Sequence, residues 1–263
     1  KGLEEAGRGK SVPVRAHGLA SLRKLVDMGY IPKGRDIPSE NQDWFEAAMR
    51  VASQGMGEGD SFVFENAIAL MAALSAHRPG SSILRLAYHF RNSRLGYQFR
   101  LKVAEVINTV CERYRKQAKS IPFDAASDLM SSLLSVAEIE VKKKDKGSKI
   151  DIASMKASSL STLADAISLF PSRLTRSQGG KVGDVVIEAC SDQEAPPEVR
   201  RASFFLLERF FEALGQDTTQ VLKSEQLSKI YDLLQKARVR DFDAAVRVLA
   251  GRAMENLGYK VLR

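Results

Sequence analysis

One pattern of twelve residues returns six times along the chain, and a pattern repeated at such intervals restricts the fold to an array of like units. The clearest copy is VRRASFFLLERF at 199–210. It reads as an apolar residue, a base, two free places, a small residue, an apolar residue, then an apolar residue at every third place. Those places are Val199, Arg200, Ser203, Phe204, Leu207 and Phe210, which lie along one helical face. The other copies begin at Val14, Val63, Phe99, Met155 and Val246, so that successive anchors lie 49, 36, 56, 44 and 47 residues apart. This is close to the period of about 40–47 residues of HEAT and armadillo units, with the unevenness read as loop insertions. The expected fold is an all-α, HEAT/armadillo-like α-solenoid of about six helical hairpins, forming a single domain over 1–263.

Two places in the pattern carry physical content. A base holds the second place in five copies, as Arg15, Arg100, Lys156, Arg200 and Arg247, with Phe64 the exception. A cation near a helix N-terminus opposes the macrodipole. An acidic partner is therefore expected in the preceding turn or in the next repeat, the candidates being Asp60, Asp151, Glu198 and Asp243. The fifth place is held by Gly18, Ala67, Val103, Ser159, Ser203 and Ala250, read as small residues that let a neighbouring helix approach closely.

No apolar run approaches the roughly 20 residues needed to span a bilayer, and the opening KGLEEAGRGK lacks the apolar core of a signal peptide. Membrane insertion is not expected, and the compartment is read as cytosolic or nuclear. Cys111 and Cys190 stand in apolar helical patterns with no CxxC or CxxH context, and are read as reduced core thiols. The missing initiator Met, and a first copy starting by residue 14 with no room for a partner helix, suggest a fragment of a longer protein with its upstream face exposed. The net charge of +8 invites a nucleic-acid reading. Its bases are dispersed, with clusters at 113–119, 142–149 and 236–240, and no aromatic platform accompanies them.

In chain order, a helix from Val12 to about Met28 is followed by a Gly- and Pro-rich loop and a helix carrying Trp44, Phe45 and Met49, capped by Ser39 or Asn41. Asp60 or Ser61 starts the next helix. Arg78, Pro79 and Gly80 are expected to turn the chain before helices from Ser81 or Ser82 and from about Gln98 to Lys116. Another helix runs from Ile121 through Ile139, and the Lys-rich stretch 142–149 is read as an exposed loop rather than a nuclear-localisation signal. Ile152 to Leu169 is helical, SRLTRSQGGK is a polar connection, and Val182 to Ile187 mark a further helix. QGGK lacks the spacing of a phosphate loop. Helices then follow Pro197, with Gly215 as cap, and run over Leu222–Lys236 and Phe242–Leu257, with Gly258 ending the last.

Catalytic chemistry finds no footing. His17, His77 and His89 stand in no metal-ligand spacing, and neither a nucleophile elbow nor a paired carboxylate setting is present. No enzyme, cofactor or metal site is expected. Repeat arrays instead bind proteins over extended surfaces.

Five segments, PVRAHGLASLRKLV (13–26), DSFVFENAIALMAALSAHRPGSSILRLA (60–87), FRLKVAEVINTVCERY (99–114), ASSLSTLADAI (157–167) and PPEVRRASFFLLERFFEALG (196–215), occur in an order that resembles one family. It is the C-terminal HEAT-repeat domain of the RNA polymerase II assembly and nuclear-import factors, whose animal relatives are called transport and Golgi organisation protein six. The resemblance spans residues 11 to 258. Phe64 and the insertion at 142–149 depart from it. It implies a non-enzymatic adaptor, cytoplasmic and shuttling to the nucleus, whose partners are RNA polymerase subunits, nucleoporins and assembly chaperones. The alternatives are a scaffold for vesicle trafficking and Golgi organisation, and a helical repeat protein that binds nucleic acid.

Overall fold

A computed structural model describes residues 2–7, 10–30, 39–117, 121–138, 149–191 and 195–261, and no strand occurs among them. The chain divides into two compact units, one of residues 1–89 and 93–125, the other of residues 90–92 and 126–263. Each is a set of helical hairpins, and the fold is an all-α, HEAT/armadillo-like α-solenoid.

The first unit contains α1 (Gly2–Glu5), α2 (Val12–Asp27), α3 (Ser39–Met56), α4 (Ser61–His77), most of α5 (Pro79–Arg91) and α6 (Tyr97–Gln117). The second helices of the hairpins, α2, α4 and α6, pack side by side in that order, and α3 lies on α4. Nine side chains of α4 are buried, Val63, Ile68, Met71 and Leu74 among them. Burying one such aliphatic chain contributes about 1.5–3 kcal/mol, so this helix is the centre of the unit's core. Close approach is made by small residues. A Cβ at Gly55 of α3 would lie 2.8 Å from the Cβ of Ala67 on α4. At Gly18 it would lie 2.5 Å from the backbone N of Ala6, which explains why the fifth place of the first copy is glycine. The short helix α1 thus occupies space where the sequence led us to expect no partner helix for α2.

In the second unit, α7 (Phe123–Ala137, counted from 126), α8 (Lys149–Leu169), α9 (Arg176–Ser191), α10 (Pro197–Leu214), α11 (Thr218–Val221), α12 (Ser224–Arg240) and α13 (Ala244–Asn256) follow one another. Helices α8, α10 and α13 form the close-packed layer of second helices, while α9 and α12 pack as neighbouring first helices. Phe204, Leu207, Phe210 and Phe211 fill the α10 core, and Gly215 at φ 52° ends that helix. A backbone in this left-handed region suits glycine.

Several boundaries differ from expectation. RSQGGK does not form a connection but opens α9. Its glycine is a packing residue, since a Cβ at Gly179 would lie 2.6 Å from that of Val221 and one at Gly183 2.9 Å from Leu222. Glycines four apart on one face let α11 and the start of α12 sit against α9, a use of glycine that reads as loop from sequence. Pro79 and Gly80 likewise lie in the first turn of α5, where proline costs no hydrogen bond. Lys149 begins α8, and residues 142–148 lie outside the described residues. Gly258 does not end the chain's helix but lies inside a π turn, Leu257–Val261.

The repeated apolar places are buried throughout the copies at 63, 155 and 199. At the ends the stripe narrows: Val14 and Leu25 are exposed, and Gly251 and Met254 half-buried.

Candidate functional site

The second and fifth places of the pattern are where the array is cross-linked. All six fifth-place residues, Gly18, Ala67, Val103, Ser159, Ser203 and Ala250, are buried. Ser159 Oγ donates to the Leu133 carbonyl at 2.5 Å, tying α8 to α7, and Ser203 Oγ donates to the Val199 carbonyl at 2.8 Å.

Three of the second-place bases, Arg15, Lys156 and Arg200, reach forward into the next repeat. Arg15 donates to Glu58 at 2.7 Å, Lys156 to Glu188 at 3.1 Å, and Arg200 grips both carboxylate oxygens of Asp241 at 3.0 Å while also donating to the Ala195 carbonyl. Arg247 donates to the carbonyls of Asp241 and Phe242 at 2.6 and 3.2 Å. Arg100 is buried beneath Tyr97, its guanidinium 5.8 Å from the ring centre, and burial lowers its pKa. Phe64, the exception, takes the ammonium of Lys102 over its ring at 4.0 Å. Lys102 also donates to the carbonyls of Met56 and Glu58 at 2.9 and 2.8 Å. A cation is therefore present even where the pattern lacks one, supplied by the following second helix.

Two of the acidic partners named from sequence, Asp60 and Asp243, take another role. Asp60 caps α4 through Val63 N–H, and Asp243 caps α13 through the N–H groups of Ala245 and Val246 while receiving Arg201. Both are helix caps, a role that the local Asp-before-helix signal announces more directly than a distant ion pair. Glu198 lies exposed in the first turn of α10, and the side chain of Asp151 lies outside the described residues. Glu58, Glu188 and Asp241 were missed because they occupy the turn or helix end on the far side of the next first helix, a distance that only the packing of repeats fixes.

One recess stands out in the first unit. Glu46, Met49, Arg50 and Ser53 of α3 and Arg85, Tyr88 and His89 of α5 line a groove of about 450 Å³. The groove lies between two first helices, α3 and α5. Arg85 is held by Glu46 at 2.9 Å, whereas Arg50 has no ion partner among the described residues. Tyr88 is 53% exposed. His89 lies edge-on to Tyr88 and Phe99, and burial, with Arg85 nearby, lowers its pKa, so the ring is neutral near pH 7. The site thus offers an aromatic face and a guanidinium over a floor closed by the buried Met49, a set suited to a peptide bearing apolar and acidic side chains.

The remaining chemical candidates take structural places. His77 Nε2 donates to the Val26 carbonyl at 2.8 Å, and His17 lies exposed beside Ser21. Neither cysteine is in a disulfide, and burial pushes the Cys190 thiol up to about 12. Among the described residues no group of three or more His, Cys, Asp and Glu is placed to hold a metal, and no helix is long and apolar enough to cross a membrane.

Stacked hairpins, a close-packed layer of second helices and a ladder of forward-reaching bases define a HEAT-type helical repeat protein. Residues 5–117 match the model of the family described as "Required for nuclear transport of RNA pol II C-terminus 1". Among solved structures, all of the chain aligns with 91% of a chain determined in work on microtubule plus end tracking by XMAP215, CLIP-170 and EB1. The identity is 15% and the TM-score 0.55, a likeness of fold. An importin beta structure aligns with 99% of the chain over 43% of its own length, at 12% identity and a TM-score of 0.43. No curated protein matches the chain.

Proposed function

We propose that the chain is a non-enzymatic protein-binding scaffold acting in nuclear transport of RNA polymerase II. The family match over residues 5–117 carries this reading. Its contact surface is the α3–α5 groove, which lies wholly within the matched segment. The occupant is a peptide segment of a polymerase subunit with apolar and acidic side chains, met by Tyr88 and Arg50. Nucleoporins and assembly chaperones are the further partners of such a scaffold, and the protein moves between cytoplasm and nucleus.

Purified RNA polymerase II subunits passed over the immobilised protein test the reading. At least one subunit is expected to bind, and Tyr88→Ala with Arg50→Glu is expected to weaken that binding about tenfold or more. Binding of none of the subunits above an unrelated helical array would overturn it. Retention of nucleic acid that falls steeply with salt, as counterion release dictates, would favour the nucleic-acid alternative. Recovery of coat or Golgi components alone would favour the trafficking one.

A further inference from the structure

The turn between α12 and α13 holds a phenylalanine in solvent. Phe242 is 98% exposed, and its neighbour Val239 is 72% exposed. A phenylalanine left in water forgoes about 1.5–3 kcal/mol of burial, so its presence at a well-fixed position calls for a use.

The position is well fixed from both sides. Asp241, immediately before, is held through both carboxylate oxygens by Arg200 and accepts the Asp243 N–H at 2.9 Å. Asp243, immediately after, is held by Arg201 and caps α13. Arg247 closes the turn from below by donating to the carbonyls of Asp241 and Phe242. The backbone of residue 242 is therefore ordered before any partner arrives, which removes part of the entropic cost of binding. Rigid aromatic side chains of this kind are the usual energetic centres of protein interfaces.

The charge beside Phe242 specifies the partner. Among the described residues Arg240 has no acidic partner, and the polar contact of Arg238 is to the Met254 sulfur, at 4.0 Å. Exposed guanidiniums flanking an apolar knob complement carboxylates flanking an apolar pocket. A single ring beside an aliphatic Val239 gives no succession of flat faces on which nucleic-acid bases could stack.

We propose that Phe242 is a preformed anchor that docks into an apolar pocket rimmed by carboxylates on a protein partner, with Arg238 and Arg240 pairing to the rim. The inference rests on the reading of the chain as a protein-binding scaffold, and adds a second contact surface, in the second unit. The test places the photo-crosslinking residue p-benzoylphenylalanine at position 242 of the protein in its own cells and maps crosslinked peptides by mass spectrometry. Crosslinks are expected to converge on one partner segment whose apolar residues are flanked by Asp or Glu. Arg238→Glu with Arg240→Glu is expected to lower the yield at least tenfold while the protein stays folded, with a Tm lowered by no more than the loss of two cations at the end of α12 dictates, and reversing the partner's carboxylates to Arg is expected to restore it.

Crosslinks scattered over many proteins, crosslinks to nucleic acid, or a yield insensitive to charge reversal would each overturn the proposal. Convergence on a protein outside RNA polymerase II would leave this proposal standing and count against the polymerase reading. Polymerase bound through the α3–α5 groove with no convergent crosslink from position 242 would do the reverse.

Discussion

Arg15 and Arg200 occupy the same place in the same pattern, one in each unit, yet the structure gives them different duties. Arg200 is buried and grips a largely covered Asp241 through two hydrogen bonds, with a backbone carbonyl as third acceptor. Arg15 makes one contact to Glu58, whose side chain is 27% exposed. A desolvated, two-point ion pair is costly to break because its survivor is left charged and buried, whereas a half-wet single contact contributes little net. The difference teaches that the pattern specifies where a base must stand, while the neighbouring turn decides how much stability depends on it.

Removing the buried partner breaks the comparison most sharply. Arg200→Ala is expected to destabilise the protein by about 3–5 kcal/mol in urea denaturation, through the stranded Asp241. A loss under about 1 kcal/mol would show that water replaces the guanidinium. Ser203→Asp, at a fully buried fifth place, is expected to cost several kcal/mol by introducing a charge without a partner; an unchanged Tm would mean that the register of the repeats is wrong. Gly179→Ala comes next, with a cost of about 1–3 kcal/mol as its new Cβ meets Val221. Arg15→Ala is expected to cost about 1 kcal/mol or less. Should it match Arg200→Ala, the two units would not differ in the way described.

The smallest effect is a pH dependence. Arg201, with the helix N–H groups of Val246 and Ala245, holds the Asp243 carboxyl down at about 2, below the ordinary value near 3.9. A depressed carboxylate contributes stability that is complete above its unfolded pKa and is lost as pH falls through the folded one. The Asp243 contribution is therefore expected to persist to about pH 4 and to fade towards pH 2. Titrating the Tm of Asp243→Asn against the parent checks this, since the variant should show a flatter fall across that window.

Much of the architecture was legible because helices and their stacking are written at short range. The apolar places of the copies at 63, 155 and 199 recur at helical spacing, and the same residues line the core. The pair Gly179-Gly180 misled because adjacent glycines signal a turn and a close helix contact alike, and only the arrival of Val221 against Gly179 separates the two. The bases of the ladder were visible, but their partners were not. Asp241 lies 41 residues beyond Arg200, and which acid in a turn faces backward depends on that turn's geometry rather than on its composition. The α3–α5 groove was invisible for a similar reason: Tyr88 and Arg50 read as ordinary helix-surface residues until two first helices set them side by side. Phe242 was read as the first residue of the last helix, and its exposure follows from the hydrogen bonds that fix the turn around it.

The most direct test of the central claim replaces the protein in its own cells with one carrying Tyr88→Ala and Arg50→Glu, and follows the nuclear-to-cytoplasmic ratio of RNA polymerase II. Both side chains are exposed, so the Tm is expected to stay within about 1 °C of the parent while the ratio falls, with polymerase accumulating in the cytoplasm. A stable variant that leaves polymerase fully nuclear would contradict the account.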